Sequence, residues 1–356
     1  MLAKAAREEK PIFVDAYTTW CGPCKWMAKE VFPKSPVGDY INTHFVAYKM
    51  DMEKGQGPAF AQANNIMAYP TLLYFDSRGN LLHKAAGARD VEGLIQLSRD
   101  ALSPEKQLGG FITRYNSGNR DKAFLKTYLN LLMESGEDIT KPLQEYWEQT
   151  SEAERYSASM LDMMAEATGQ FNSIEAPLTQ YLIEHRSDYE AAVGKKSVRN
   201  YLWFTYTQEA IRLAVSREKE ETKKLEAQLL DLFPEAKKDL KHRVRLVQAS
   251  QKFKGNEKRV QRYYNRYLKF TLDGNDLNNA AWAIYEDQES SDKDLKKALD
   301  YANRAVAHTP DYSTYDTKGA LLFRLKQYEA ARTAYQRSLS DAEDQVIPEE
   351  YISDTR

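Results

Sequence analysis

Two cysteines occur in the 356-residue chain, and they stand three positions apart in Trp20-Cys21-Gly22-Pro23-Cys24-Lys25. A C-x-x-C pair is either half of a zinc site or a dithiol that cycles with its disulfide. Zinc takes four ligands, no further cysteine exists, and His44, His83, His185, His242 and His308 are scattered without ligand spacing. The pair reads as a redox couple that needs no metal and no added cofactor. Its placement supports this. The apolar run over 11–17 reads as a buried strand, and the spacing from Cys21 to Phe32 is helical. Cys21 then falls at a helix N-terminus, where unpaired N–H groups and the helix dipole stabilise a thiolate. A thiol at its ordinary pKa of ~8.5 is a slow nucleophile at neutral pH, so such placement activates it. The strand-to-helix junction is expected to leave the first sulfur open. Cys24, one turn further, can attack a mixed disulfide at Cys21 and release the reduced partner. Gly22 and Pro23 are expected to make the tight turn, with proline in the first helical turn, where its missing N–H is not needed.

The elements around the pair form an alternating pattern. Residues 45–52 read as a second strand and 58–66 as a short helix opened by Pro58. Residues 71–75 and 81–86 bracket an Asp-Ser-Arg-Gly-Asn turn, a hairpin signal, and a helix follows over about 90–102. Pro33 and Pro36 end the helix that starts at the cysteines. Such an order predicts one α/β domain over 1–104.

Trp-Cys-Gly-Pro-Cys-Lys after a strand bearing Val14-Asp15 resembles the thioredoxin-like family, and further positions agree. The resemblance covers about residues 2–102 and implies a thioredoxin-like fold and thiol-disulfide exchange. It implies that Asp15, six residues before Cys21, is the buried acid that exchanges a proton with the second cysteine. Lys49 matches the lysine near that acid, and Tyr69-Pro70-Thr71 matches the loop whose cis proline packs beside the pair. Trp20 is implied to shield the site and meet substrate. Each has an ordinary alternative: a polar strand-end aspartate, an edge-strand lysine, a core tryptophan. The chain begins at the first helix, without the first strand of a full thioredoxin, and its helix breaks at Pro33 and restarts after Pro36. Both departures resemble the branch that includes the periplasmic thiol-disulfide interchange proteins.

Beyond 105 the spacing turns helical throughout, predicting an all-α domain over 105–356. Short breaks carry Ser117-Gly118-Asn119, Ser135-Gly136, Thr168-Gly169, Lys254-Gly255-Asn256 and Asp273-Gly274-Asn275, which implies antiparallel helical hairpins. Over 279–340, Trp282, Ala298, Ala302 and Ala305 have counterparts 33 residues on at Tyr315, Ala331, Tyr335 and Ser338. Small residues in the second helix let the pair approach closely, and the pattern resembles tetratricopeptide (TPR) hairpins, although Pro310 has no counterpart. Stacked hairpins imply a groove for a peptide or protein ligand. Residues 237–269 hold twelve Lys or Arg against two acids, with Tyr263, Tyr264 and Tyr267 interleaved. Basic residues among aromatics can mark nucleic-acid binding. Here the tyrosines have core spacing and the charges read as a solvated face, so no nucleic-acid partner is expected.

Composition agrees with a folded protein of two units: 29% charged, 42% hydrophobic, net charge −2. So small a charge exerts no strong pull on nucleic acid or anionic membrane. No apolar run approaches the ~18 residues of a membrane span. Met1-Leu2 leads into a polar helical segment rather than a signal peptide, so the chain is cytoplasmic, processed or trimmed. The interchange-protein resemblance tilts localisation to extracytoplasmic, the periplasm, with cytoplasmic as the alternative. The expected function is a thiol-disulfide oxidoreductase that reduces or isomerises protein disulfides, recharged by an upstream electron donor or acceptor. The alternative is an interaction scaffold whose redox unit serves as docking module or switch.

Overall fold

The run that precedes the cysteines is apolar at successive positions because both of its faces are covered. In the computed structural model, which describes residues 2–167, 174–216 and 219–344, this run is β1 (Ile12–Tyr17). Phe13 packs on one side with Met27, Val31, Ile41, Leu94 and Leu97. Ile12, Val14 and Ala16 pack on the other with Ala5, Val46, Leu73 and Phe75. Side chains alternate across a strand, so Asp15 shares the Phe13 face.

Three further strands complete the sheet: β2 (Val46–Asp51), β3 (Thr71–Phe75) and β4 (Leu81–Ala86). Their order is β2-β1-β3-β4, with β1 parallel to β2, β1 antiparallel to β3, and β3 antiparallel to β4. The helices of this region are α1 (Leu2–Glu8), α2 (Gly22–Trp26), α3 (Ser35–His44), α4 (Gly57–Ala63) and α5 (Val91–Ala101). The helix expected over 21–32 changes character after α2. Met27–Val31 forms a π turn, closed by the Phe32 N–H donating to the Met27 carbonyl at 2.9 Å. Proline cannot donate an N–H, so the helix cannot run on through Pro33, and α3 begins with Pro36 in its first turn.

The chain forms two compact units, Met1–Thr205 and Tyr206–Arg356. The first therefore runs past the change from α/β to all-α near 104. It does so because the next helices, α6 (Leu108–Asn116) and α7 (Lys122–Ser135), pack on β4, an edge strand. A Cβ at Gly109 would lie 2.4 Å from the Leu81 carbonyl oxygen, so only glycine lets α6 come this close. The Leu108 N–H donates to Nδ1 of buried His83 at 3.2 Å. Burial holds the His83 imidazole below its usual pKa, in the neutral form that can accept. Covering β4 protects the exposed edge of the sheet.

In the second unit, helices Gly274–Glu286 and Asp292–His308 pack as a pair, as do Tyr312–Arg324 and Tyr328–Asp344. Ala298, Ala302 and Ala305 are buried, and a Cβ on Gly319 would meet the Tyr335 ring at 2.7 Å. The helix starts do not keep the 33-residue spacing: first helices begin 38 residues apart and second helices 36 apart. The connecting loops differ in place and length, which a spacing of matched side chains does not report. Tyr264 and Tyr267 turn inward as their spacing predicts, whereas Tyr263 is exposed. The basic face has an exception too, since Arg243 is paired with Asp239 and Asp273, each at 3.3 Å. The expected turn at Thr168-Gly169 and the chain beyond 344 lie outside the described residues.

Candidate functional site

Cys21 is the N-cap of α2, with extended backbone (φ −67°, ψ 115°) between β1 and the helix. Its Sγ accepts the Cys24 N–H at 3.1 Å, so one of the helix's unpaired donors already points at this sulfur. Pro23 occupies the first turn. The two sulfurs form a disulfide, S–S 2.07 Å with Cα atoms 5.3 Å apart. One expectation needs correcting. Cys21 is not open: with the pair oxidised it is 4% exposed, because part of its sulfur surface is spent on Cys24 and the residue is folded into the cap. Displacement runs along the S–S axis, so one unobstructed approach to that sulfur is what the chemistry requires. Gly22 and Pro23 form the first turn of α2; Gly22 is exposed, lacks a positive φ, and a Cβ there would meet nothing within 4 Å.

On β1, Asp15 is 3% exposed, and neither carboxyl oxygen has a hydrogen-bond partner. Register places Lys49 of β2 directly beside it, with Nζ 3.9 Å from Oδ2. That is ion-pair range without a hydrogen bond. Burial disfavours the charged carboxylate and outweighs the Lys49 charge, so the Asp15 pKa is raised to about 6. Lys49 also lies over the Tyr17 ring at 4.5 Å. Asp15 and Lys49 line a cleft of about 450 Å³ with Ala28, Phe32 and Ile41. An acid with a pKa near neutrality, reached through a cleft, can take or return a proton at physiological pH.

The Tyr69-Pro70 peptide bond is cis, and Pro70 is buried. The residues flanking the two motifs meet, since the Trp20 and Tyr69 rings contact edge-on at 6.0 Å. Trp20 is 62% exposed, so it is no core residue, and its indole N–H donates to Glu53 Oε1 at 2.9 Å. Met67, 80% exposed, precedes Tyr69 on the same loop. Nothing in the spacing of Glu53 or Met67 distinguishes them from ordinary loop residues. Among the described residues, no cluster of three or more His, Cys, Asp or Glu could hold a metal, and no helix is long and apolar enough to cross a membrane.

A disulfide-forming C-x-x-C pair at a strand-to-helix junction, whose preceding Trp20 meets Tyr69 of a cis-proline loop, defines a thiol-disulfide oxidoreductase. Comparison with known proteins agrees. The family model for a thioredoxin-like domain matches residues 1–102. Thioredoxin-like protein slr0233 of Synechocystis is 36% identical over 26% of this chain and 81% of its own length. The chain belongs to the thioredoxin-like family. It is 38% identical to chloroplastic Thioredoxin Y of Oryza sativa over 28% of this chain, and spans 56% of that protein. A solved structure from Bacteroides thetaiotaomicron, described as a candidate disulphide-isomerase, is 45% identical over 29% of this chain and 84% of its own, with a TM-score of 0.27.

Proposed function

We propose that the protein reduces disulfides in polypeptide substrates, with Cys21 as nucleophile and Cys24 as resolving thiol. In the reduced form the Cys21 thiolate attacks one sulfur of the substrate disulfide. The Cys21–substrate bond forms, the substrate S–S bond breaks, and the departing thiolate takes a proton. Cys24 then surrenders its proton to the Asp15 carboxylate and attacks Cys21 Sγ. The second substrate thiol leaves and the Cys21–Cys24 disulfide is restored. Two electrons pass from dithiol to substrate, and an external thiol donor returns the pair to the reduced state. Lys49 keeps Asp15 from rising further in pKa, and Trp20, Tyr69 and Pro70 receive the substrate chain beside the sulfurs.

The observation that carries this reading is the Cys21 cap: a sulfur that accepts a helix N-terminal N–H and is already bonded to Cys24. Reduction is favoured over oxidation because Gly22-Pro23 between the cysteines resembles the reducing members of the family. The helical hairpins select the substrate, and those over 279–340 are read as TPR-like, supported by the paired helices with alanines at their contact. An extracytoplasmic site of action rests on resemblance to the interchange-protein branch, and fractionation of the producing cell tests it. The decisive assay is insulin reduction with dithiothreitol as donor. The parent chain is expected to turn over and Cys21→Ser to be inactive; full turnover by Cys21→Ser rejects the role given to that sulfur.

A further inference from the structure

Lys84 lies in a strand yet is 1% exposed at its side chain. An ammonium has three protons to donate, and all three are placed. Nζ donates to the Asn64 carbonyl at 3.0 Å, the Asn65 carbonyl at 2.9 Å and Glu137 Oε1 at 2.6 Å. The other carboxylate oxygen of Glu137 accepts Asn65 Nδ2 at 3.0 Å. Asn65 itself is in the left-handed region at φ 48°, a conformation asparagine tolerates and most side chains do not. Glu137 is held just past the end of α7, where Gly136 (φ 68°) caps the helix and the Glu137 N–H donates to the Leu132 carbonyl at 2.9 Å. One carboxylate from the helical region thus grips both a buried cation of the sheet and the loop that leads to Pro70.

That loop carries the recognition rim. Between Asn65 and Pro70 stand Met67, 80% exposed, and Tyr69, whose ring meets Trp20. Its far end is tied by Thr71 Oγ1 donating to the Ala68 carbonyl at 2.7 Å. Its near end is held by backbone bonds, by Asn64 Nδ2 donating to the Phe60 carbonyl at 2.9 Å, by Ile66 buried in the core, and by the Lys84–Glu137–Asn65 cluster, which ties it to the helical region. An unclamped loop would have to be ordered each time a polypeptide bound, and that entropy would be taken from affinity.

We infer that Glu137 is a positioning residue through which the helical hairpin after the redox domain sets affinity for polypeptide disulfides, by holding the 64–70 loop ready. The inference rests on the proposed reductase function. It predicts a split between substrates: a polypeptide needs the rim, whereas a small aryl disulfide needs only the sulfurs.

The test uses the full chain with two probes, insulin and dithiobis(nitrobenzoate). Glu137→Gln keeps an acceptor for Lys84 but leaves a buried cation without its counter-charge, so it can lose stability. Asn65→Gly is the safer variant, because glycine accepts the positive φ and no charge is uncovered. Each is expected to raise KM for insulin about five- to tenfold, an entropic cost of ordering the rim, with kcat and the small-disulfide rate within about twofold. Because both changes disrupt the same Asn65–Glu137 contact, while the Lys84 bonds to the Asn64 and Asn65 carbonyls remain, the double variant should be no worse than the poorer single one. A folded Asn65→Gly protein with the parent's insulin KM overturns the inference, as do losses that multiply, or an equal fall on both probes. A parent chain that reduces neither probe overturns the reductase reading, and this inference with it.

Discussion

Asp15 and Lys49 face one another across the only parallel strand pair of the sheet, and their charges stop 3.9 Å apart. The gap matters because the two effects on Asp15 oppose each other. Lys49, half-exposed and shared with water, supplies a screened attraction. The carboxyl, 3% exposed and without a donor, loses more by desolvation than it gains. The protein thus keeps a destabilising acid in its sheet, poised at about 6.

The stability consequence has a definite sign. Asp15 titrates at about 6 when folded and 3.8 when exposed, so between these values the native state binds more protons. Stability falls as pH rises through that window, and above it the cost is about 3 kcal/mol. Asp15→Asn should therefore gain about 2–3 kcal/mol at pH 8 and almost nothing at pH 4. Urea unfolding at both pH values checks it; an equal gain at both would show that charge burial is not the cause. If Asp15 serves Cys24 as proposed, the same variant should also slow resolution of the mixed disulfide.

Lys49→Met separates the two influences from the other side. Removing the nearby positive charge should move Asp15 titration alkaline of about 6. Carboxyl carbon NMR of Asp15 across the pH range follows this directly. An unchanged or lower value would mean that Lys49 exerts no field at this carboxyl.

Cys24→Ser should leave the first attack possible and remove the second. With an oxidised polypeptide it is expected to accumulate a covalent Cys21–substrate adduct, visible on a non-reducing gel and cleaved by dithiothreitol. Cys21→Ser should show none. Adducts formed equally by both variants would mean that the two sulfurs do not have distinct roles.

Gly109→Ala tests the seat of α6 on the sheet edge. Inside a helix this change ordinarily stabilises by roughly 0.5–1 kcal/mol. Here the new methyl would lie 2.4 Å from the Leu81 carbonyl oxygen, so α6 must lift away from β4. A net loss of about 1–3 kcal/mol is expected from such overpacking. Denaturant midpoints decide it by sign alone.

Much of this protein is legible along the chain because the relevant physics is local. The hairpin at 71–86 is announced by its turn residues, and Gly79 takes the positive φ of 93° that such a turn requires. The C-x-x-C spacing spans one helical turn, so two sulfurs that close on each other at a helix start are written into six consecutive residues. The π turn at Met27–Val31 is not legible: a helical apolar stripe looks the same whether one turn is widened or not. Nor is the exposure of Cys21, which depends on what folds over the cap.

What amino-acid order by itself determined is the chemistry: a dithiol couple, the strand and helix that carry it, and the acid six residues upstream. Tertiary structure alone decided how those groups are tuned. Asp15 and Lys49 are 34 residues apart in sequence and adjacent only through strand pairing. Nothing in the sequence marks Lys84, which is buried against Glu137, 53 residues on, only through packing. The reason is common to both. Residue type and spacing set what a side chain can do, but desolvation and Coulomb energy depend on distances through space, which come into being only when remote segments pack.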